Sequence, residues 1–158
     1  MCTYADRVRA VVQRVTRATV AVDETVVSRI GPGLLVLAGV ALDDTEDDAR
    51  AIAAKLVGLR IFPDDDSAMN QSVAEIGGSI LVVSQFTLYA DSRRGRRPSF
   101  ASAAPAAMAE PLVEHMIEEV ARLGISVQSG RFGAKMAVEL VNDGPVTIIL
   151  ETREGRLA

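Results

Sequence analysis

Two hydroxyl groups, on Ser84 and Thr87, stand at the end of an apolar segment and are the first candidates for a nucleophile. A serine or threonine hydroxyl attacks an ester only when a general base lies within hydrogen-bond reach. The single histidine, His115, stands beside Glu114 and Glu118 and off the apolar face of its predicted helix. We expect His115 to face solvent, so a Ser-His-Asp triad is not predicted.

Other reactive side chains are scarce. Cys2 is the only cysteine, so neither an intrachain disulfide, a cysteine zinc site nor a thiol redox pair can form. The acidic runs at residues 43–48 and 64–66 are explained by helix capping and turns. No metal site and no cofactor is therefore predicted. A hydrolase with this sequence would work by positioning its substrate and by main-chain hydrogen bonds to an oxyanion, each worth about 10²–10³ in rate.

The hydrophobic pattern predicts the strands that must position Ser84 and Thr87. Residues 8–30 alternate apolar and polar side chains and are interrupted at Asp23-Glu24, which predicts two strands joined by a hairpin. Gly31-Pro32-Gly33 then turns the chain into a buried strand. The further predicted strands are residues 34–40, 79–89, 126–128, 136–141 and 146–152.

Two amphipathic helices accompany these strands. Thr45 is the predicted N-cap of a helix over about residues 45–59, whose acidic first turn complements the helix dipole. An apolar stripe from Leu112 to Leu123 predicts a second helix that stops at Gly124. Strands outnumber helices, and neither βαβ alternation nor a glycine-rich phosphate loop is recognised. This pattern favours an α+β fold built on a mainly antiparallel sheet or barrel.

The chain length indicates one domain with a core of ordinary size, since the sequence has 158 residues. We expect residues 1–7 to be a flexible N-terminal extension and residues 8–158 to be a single catalytic domain. The sequence has neither a secretory signal pattern nor an apolar run long enough to cross a bilayer. The predicted location is the cytoplasm, with no membrane partner.

Charge restricts how the protein could bind a nucleic acid. The net charge is −4, which argues against binding over the whole surface. A local basic cluster follows the segment that carries Ser84, and it is the candidate RNA contact. The alternative interpretation is a solvated loop, because runs of charge usually are. The cluster consists of Arg93, Arg94, Arg96 and Arg97.

Two segments resemble the hallmarks of the D-aminoacyl-tRNA deacylase (D-tyrosyl-tRNA deacylase) family. The first is Ser84-Gln85-Phe86-Thr87-Leu88, and the second is Asn142-Asp143-Gly144-Pro145-Val146-Thr147. The resemblance covers about residues 8–150, and it includes Arg96-Arg97-Pro98-Ser99-Phe100 and the Gly-Arg-Phe-Gly-Ala-Lys-Met segment at residues 130–136. The expected fold is therefore deacylase-like.

The resemblance implies a homodimer that hydrolyses the ester of D-aminoacyl-tRNA, and also of glycyl-tRNA, with active sites at the subunit interface. It implies that residues 84–86 line the pocket for the terminal adenosine and the ester. Main-chain amides near Gln85 and Phe86 would then be the oxyanion donors. The 2′-hydroxyl of the tRNA's terminal ribose would supply the reactive group that the protein lacks. Aminoacyl-tRNA is thus the expected partner, and no cofactor is implied.

In the same family a cis Gly-Pro bond acts as a chirality gate, which corresponds here to Gly144 and Pro145. The resemblance implies that their carbonyl oxygens enter the active site of the opposite subunit and exclude an L side chain. It assigns Arg14 the role of holding this element. Without the resemblance, Arg14 would be read as an exposed charge on a strand, and Phe86 as a core residue.

Several alternatives stay open. Thr87 could act as a nucleophile rather than position the substrate, although no base can be named for it. The protein could be a generic esterase that uses Ser84 or Thr87, or an RNA-binding module that breaks no bond. If residues 79–89 form a regular strand, Gln85 and Thr87 share one face while Ser84 and Phe86 share the other.

Overall fold

The computed structural model describes residues 7–158. In that range the chain forms strands, two α-helices and one 3₁₀ helix, which we call the 3₁₀ turn. In chain order, the elements are β1 (Arg9–Val22), β2 (Thr25–Ile30), β3 (Gly33–Gly39), α1 (Glu46–Gly58), β4 (Phe62–Pro63), β5 (Met69–Gln71), β6 (Ser79–Ser84), the 3₁₀ turn (Phe86–Tyr89), α2 (Ala106–Arg122), β7 (Ser126–Ser129), β8 (Ala137–Arg153) and β9 (Arg156–Leu157).

The predicted N-terminal extension, residues 1–7, lies outside the described residues except for Arg7. The guanidinium of Arg7 donates to Glu151 Oε2 at 3.0 Å. Among the residues that are described, no helix is long and apolar enough to cross a membrane.

The main sheet has the strand order β7-β6-β3-β1-β8-β9, with β2 pairing to β1. The predicted α+β class with two helices is confirmed, but the sheet is mixed. β3 pairs with β6 in parallel, and β6 pairs with β7 in parallel. A helix connects the strands of each parallel pair, because a parallel connection must cross over the sheet. The βαβ alternation was missed because a long segment that contains β4 and β5 separates α1 from β6.

Helix α1 begins as predicted at Thr45. The buried carboxylate of Asp48 accepts hydrogen bonds from the Thr45 amide at 2.9 Å and from its hydroxyl at 3.0 Å. Asp48 also accepts from the Gly155 amide at 2.8 Å, which fixes the β8-β9 turn to the start of the helix. Helix capping therefore also stabilises the end of β8.

The core lies between one face of the sheet and the two helices. Its fully buried members alternate along the strands and recur on one face of each helix. They include Val12, Leu34, Val36, Ile52, Leu56, Ile80, Met116 and Val120. A smaller cluster on the other face of the sheet contains Val15, Val20, Leu35 and Leu81. Strand β3 is thus buried on both faces, as its continuous apolar sequence predicted.

The prediction of one strand over residues 79–89 was wrong, because the strand ends at Ser84. The Gln85 amide makes the last ladder bond, to the Ala38 carbonyl at 2.8 Å. The chain then closes the 3₁₀ turn through bonds from the Leu88 amide to the Gln85 carbonyl and from the Ala90 amide to the Thr87 carbonyl. Apolar residues continue through this turn, so periodicity alone could not mark where the strand stops.

The predicted strands at residues 136–141 and 146–152 are parts of one strand, β8. Along β1, Gln13 and Val15 are two residues apart, but their partners Thr147 and Asn142 are five residues apart. The additional residues form an outward loop, which we call the β8 bulge (residues 143–146). β8 pairs with β1 on both sides of the bulge. A Gly-Pro pair in the sequence does not reveal that the strand continues beyond it.

His115 does not face solvent as expected. Its side chain is 31% exposed, and its Nε2 atom lies 3.0 Å from Glu46 Oε2. The prediction failed because the apolar stripe of α2 packs against α1, and His115 borders that interface. His115 therefore contacts the start of α1, and it is not one of the residues that line the cavity described below.

Candidate active site

An open cavity of about 510 Å³ lies where β6 gives way to the 3₁₀ turn. The start of α2 and the segment at residues 130–136 form its other walls. Most of the lining is apolar, and the polar groups are contributed by the predicted Ser84, Gln85 and Thr87. The lining residues are Ser84, Gln85, Phe86, Thr87, Phe100, Ala103, Ala104, Ala106, Ala109, Phe132, Gly133, Ala134 and Met136.

The cavity wall contains no titratable side chain from the described part of the chain. Thr87 and Ser84 therefore have no lining histidine, carboxylate or lysine that could act as a general base. In residues 7–158 there is also no group of three histidine, cysteine or acidic side chains that could hold a metal ion. The chemistry available at this cavity is hydrogen bonding from hydroxyl, amide and main-chain groups, together with apolar contact.

Two residues of the 3₁₀ turn that line this cavity, Phe86 and Thr87, have main-chain amides without a bonded partner. The amides of Phe86 and Thr87 precede the first hydrogen bond of the turn, and neither bonds to another described residue. The expectation for Gln85 needs correction, because its amide is already bonded to the Ala38 carbonyl. Of the two amides predicted from the sequence, that of Phe86 is free, and the additional donor is the amide of Thr87.

The side chains of the turn are not arranged as a strand would arrange them. The Gln85 side-chain amide donates to Thr87 Oγ1 at 3.0 Å, so these two side chains do meet. Phe86 is 56% exposed, which overturns its interpretation as a core residue. Its ring packs edge to face against Phe100, with the ring centroids 5.2 Å apart. Two aromatic rings thus border the cavity, and an exposed aromatic ring offers a surface for stacking.

The β8 bulge is held from both sides. Arg14 is 9% exposed, so its interpretation as an exposed strand charge is wrong. Its Nε atom donates to the Asp143 carbonyl at 2.9 Å, and its Nη1 atom donates to the Ile61 carbonyl at 2.6 Å. The Asn142 side chain accepts from the Val146 amide at 2.7 Å and donates to Thr147 Oγ1 at 3.1 Å. Sequence reasoning quoted Asn142 as part of a motif but did not foresee that it clamps the bulge.

Within the bulge, the Gly144-Pro145 peptide bond is cis. Gly144 has φ of +143°, and a Cβ atom there would lie 2.7 Å from Val146 Cγ2. Only glycine fits this position without displacing its neighbours. Both Gly144 and Pro145 are exposed, and neither lines the cavity of its own chain. The structure thus brings residues 84–87 together and leaves the other predicted site element apart from them.

The face and edge around the bulge are unusually open. Within the described chain, β8 pairs with β1 along one edge. Along its other edge it pairs only with β9, at residues 152 and 153. Its remaining length is a free edge, which proteins commonly cover. Large apolar side chains are also exposed along it, namely Val138 at 36%, Val141 at 39% and Ile149 at 64%.

The four predicted RNA-contacting arginines are all exposed. Arg93 forms two hydrogen bonds with Asp91, at 2.9 Å and 2.7 Å, and this pairing holds the pKa of the Asp91 carboxyl well below its usual range. Arg94, Arg96 and Arg97 have no ion pair with any described residue. Three guanidinium groups are thus free to contact a ligand.

Two further exposed cations, Arg131 and Lys135, were missed. They alternate with Phe132, Ala134 and Met136, which line the cavity. This alternation of exposed and lining residues was the available signal in the sequence.

Comparison with known proteins agrees with this geometry. The chain matches the family model of D-Tyr-tRNA(Tyr) deacylases over residues 11–151. A D-aminoacyl-tRNA deacylase from Roseiflexus castenholzii is 59% identical over 91% of this chain and 92% of the relative. A solved structure described as c-Myc DNA unwinding element binding protein is 40% identical, with a TM-score of 0.86 over 91% of this chain and 98% of that one.

A second solved structure, of a probable eukaryotic D-amino acid tRNA deacylase, has a TM-score of 0.78 over 92% of this chain and 100% of that one. At 20% identity it shows the shared fold alone. The match of the family model and the identity with the curated relative carry the assignment, and they confirm the resemblance seen in the sequence. The chain belongs to the D-Tyr-tRNA(Tyr) deacylase family.

Proposed function

We propose that the protein hydrolyses the ester bond of D-aminoacyl-tRNA, and of glycyl-tRNA, and releases the free amino acid and tRNA. The observation that carries this proposal is the base-free cavity beside the unbonded amides of Phe86 and Thr87. The name of the relative from R. castenholzii, D-aminoacyl-tRNA deacylase, supports the same substrate. The reaction removes D-amino acids from tRNA and so acts as chiral proofreading.

The cavity suits the end of an aminoacylated tRNA. Its volume of about 510 Å³ falls in the range of small-molecule sites. The rings of Phe86 and Phe100 offer stacking surfaces for the terminal adenine. The ester carbonyl then lies beside the free main-chain amides, where a developing oxyanion is stabilised.

Cleavage uses water and a group of the substrate. Water adds to the ester carbonyl, and the bond from the carbonyl carbon to the ribose oxygen breaks. One proton of the water passes to the released ribose oxygen and the other to solvent, and the amino acid leaves as a carboxylate. The vicinal 2′-hydroxyl takes part in these proton transfers, because Ser84 and Thr87 have no base beside them. The side chains of Gln85 and Thr87 position the substrate.

Selection of the D enantiomer is assigned to a second copy of the chain. The carbonyl oxygens of Gly144 and Pro145 from one copy enter the cavity of the other and obstruct an L side chain. Three observations support this arrangement: the bulge is exposed, it is absent from its own cavity, and it lies on an open edge with exposed apolar side chains. Arg14 supports the gate by holding the Asp143 carbonyl. A homodimer therefore carries two complete sites.

The tRNA body is assigned to the exposed arginines beyond the 3₁₀ turn. Arg94, Arg96 and Arg97 are exposed, and each can neutralise a phosphate. The proposed location of the reaction is the cytoplasm, because aminoacyl-tRNA is the proposed substrate.

The test compares release of D-tyrosine and L-tyrosine from the same tRNA, with a third substrate whose terminal 2′-hydroxyl is removed. We expect release of D-tyrosine alone, and loss of that release with the 2′-deoxy substrate. Equal release of both enantiomers would indicate a generic esterase and overturn the proposal. Tight tRNA binding without release would instead indicate an RNA-binding module.

The Thr87→Val variant separates positioning from nucleophilic attack. The substitution removes the hydroxyl that accepts from the Gln85 side chain and keeps the shape. We expect a loss in kcat of less than about tenfold, since one neutral hydrogen bond is worth about 1 kcal/mol. A loss of about 10⁴-fold or more, measured by single-turnover release of D-tyrosine, would identify Thr87 as the nucleophile.

A further inference from the structure

Arg9 of β1 fastens the carboxyl end of the 3₁₀ turn to the sheet. The Nη1 atom of Arg9 donates to the Leu88 carbonyl at 2.8 Å. The guanidinium carbon lies 5.3 Å from the centre of the Tyr89 ring. Leu88 and Tyr89 are the last two residues of the turn, where carbonyl groups lack partners and a cation is favourable.

Arg9 is itself held by its neighbours. Its Nε atom bonds to Glu151 Oε1 at 2.8 Å, and the same carboxylate accepts from Arg7 at 3.0 Å. Burial of this carboxylate opposes its charged form, but the hydrogen bonds from the two arginines lower the pKa of Glu151 below its usual range. The Arg9 side chain is only 20% exposed. Its direction is therefore fixed before any substrate binds.

Strand register explains why Arg9 can reach the turn. Arg9 pairs with Gly39 of β3 on one side and with Glu151 of β8 on the other. Because paired residues in an antiparallel ladder share a face, the glycine leaves open the space between Arg9 and the turn. The Tyr89 ring fills that space, since a Cβ atom on Gly39 would lie 2.9 Å from Tyr89 Cε2. Tyr89 is 5% exposed and donates to the Gly39 carbonyl at 3.4 Å.

The amino end of the turn is the part that faces the cavity. Phe86 and Thr87 line it, and the turn has only four residues. A shift at Leu88 is therefore transmitted directly to the amides of Phe86 and Thr87. We propose that Arg9 is a positioning residue for ester hydrolysis, which sets the amides of Phe86 and Thr87 through its contacts with Leu88 and Tyr89.

This role rests on the function proposed above, and Arg9 itself does not line the cavity. It predicts an effect on kcat rather than on KM, because displaced amides stabilise the oxyanion less while the apolar walls still bind the adenosine. A misplacement of about 1 Å can cost up to about a hundredfold in rate.

The experiment compares Arg9→Met, Arg9→Lys and Arg122→Met in the full-length protein. Arg122 is a control because it forms a similar pair with Glu119 on α2, and neither residue lines the cavity. We expect kcat to fall about ten- to a hundredfold in Arg9→Met, with KM within about twofold. Arg9→Lys should recover part of the loss, since an ammonium keeps the charge but cannot contact Leu88 and Glu151 in the same way. Arg122→Met should match the unmodified protein.

Amide hydrogen exchange gives a second reading that does not depend on turnover. The Leu88 and Ala90 amides close the 3₁₀ turn, so they should exchange at least about tenfold faster in Arg9→Met, while amides of β1 and β3 keep their rates. Unchanged exchange at both amides, or an effect on KM alone, would overturn the role of Arg9. If the unmodified protein does not release D-tyrosine, the proposed function fails, and exchange still decides whether Arg9 holds the turn.

Discussion

The 3₁₀ turn follows the end of β6 and the β8 bulge interrupts β8, and the two are supported differently. Tyr89, the last residue of the turn, is buried, with 5% of its surface exposed. The turn borders a cavity of the same chain. The bulge residues Gly144 and Pro145 are exposed and do not line the cavity of their own chain. Arg14 and Asn142 hold only its base.

This difference supports a division of two proposed tasks, hydrolysis of the ester and choice of the enantiomer, between the turn and the bulge. A turn that is buried at one end and open at the other can fix donors precisely within one chain. A bulge that is held at its base and free at its tip is suited to enter a second chain. We therefore associate the rate of hydrolysis with the turn and the choice of enantiomer with the bulge.

The largest expected effect is on enantiomer choice, in Gly144→Ala. An added Cβ atom would lie 2.8 Å from the Val146 amide nitrogen, at a φ of +143° that alanine rarely adopts. We expect the ratio of D-tyrosine to L-tyrosine release to fall by about a hundredfold, because the gate carbonyls are displaced. The control is Gly31→Ala, where a Cβ atom meets nothing within 4 Å. An unchanged ratio would break the association of the bulge with selectivity.

Gly39→Ala should lower the rate of hydrolysis and leave the enantiomer ratio unchanged. The new Cβ atom would lie 2.9 Å from the Tyr89 ring and 3.2 Å from the Gln85 carbonyl, so the 3₁₀ turn must shift. We expect kcat for D-tyrosyl-tRNA to fall about tenfold while the enantiomer ratio is kept. Steady-state release assays on both enantiomers measure this, with Gly58→Ala as the unstrained control. A changed ratio with an unchanged kcat would reverse the two assignments.

A smaller effect is expected on binding when Arg94, Arg96 and Arg97 are all replaced by glutamine. The three side chains have no ion pair among the described residues, so each is available to a phosphate. We expect KM to rise severalfold, and the slope of log KM against log salt to become shallower by about 2. The matched control, Arg93→Gln, removes a side chain already paired with Asp91 and should change the slope less. Neither kcat nor the enantiomer ratio should move.

The smallest effect is on stability, at the start of α1, which belongs to neither region. Burial opposes the charged form of Asp48, but hydrogen bonds from Gly155 and Thr45 lower the pKa of its carboxyl from 3.8. A lowered pKa stabilises the fold above the unfolded-state pKa, and this contribution is lost as pH falls through the folded-state pKa. We expect Asp48→Asn to lose about 1 kcal/mol of unfolding free energy at pH 7.

The difference between Asp48→Asn and the unmodified protein should shrink below about pH 4, as the carboxyl becomes protonated. Urea unfolding followed by circular dichroism at pH 7 and pH 3 measures it. If the difference in unfolding free energy grew on acidification, the Asp48 carboxylate would not stabilise the fold as described. The enantiomer ratio of this variant should stay that of the unmodified protein.

Much of the fold was predictable because local rules determine it. Alternation gave β1 and β2 with the turn at Asp23-Glu24, and the Thr45 cap and Gly124 marked one end of each helix. The end of β6 was not predictable, because Leu88 and Tyr89 are as apolar as a strand requires. They leave the sheet where Gly39, distant in sequence, makes room for the Tyr89 ring.

Only part of the site could be predicted, because local sequence patterns do not show contacts between distant segments. Residues 84–87, which belong to the first motif, line one cavity. The free amide of Thr87 depends on where β6 ends, and the Asn142 clamp depends on the irregular backbone of the bulge. The Arg14 bond to the Ile61 carbonyl depends on a contact between distant segments. Such contacts carry no periodic signal. The exposed bulge also has no function that one chain can reveal, because its proposed target lies in a second copy.

The most direct test of this division uses mixed dimers, with one Ala134→Trp chain and one Gly144→Ala chain isolated through two different affinity tags. Ala134 lines the cavity, so the tryptophan blocks that site and leaves its bulge intact. The only open cavity then belongs to the Gly144→Ala chain. If the gate comes from the partner, the mixed dimer releases D-tyrosine with the enantiomer ratio of the unmodified protein. The reduced ratio of the Gly144→Ala homodimer would contradict the account.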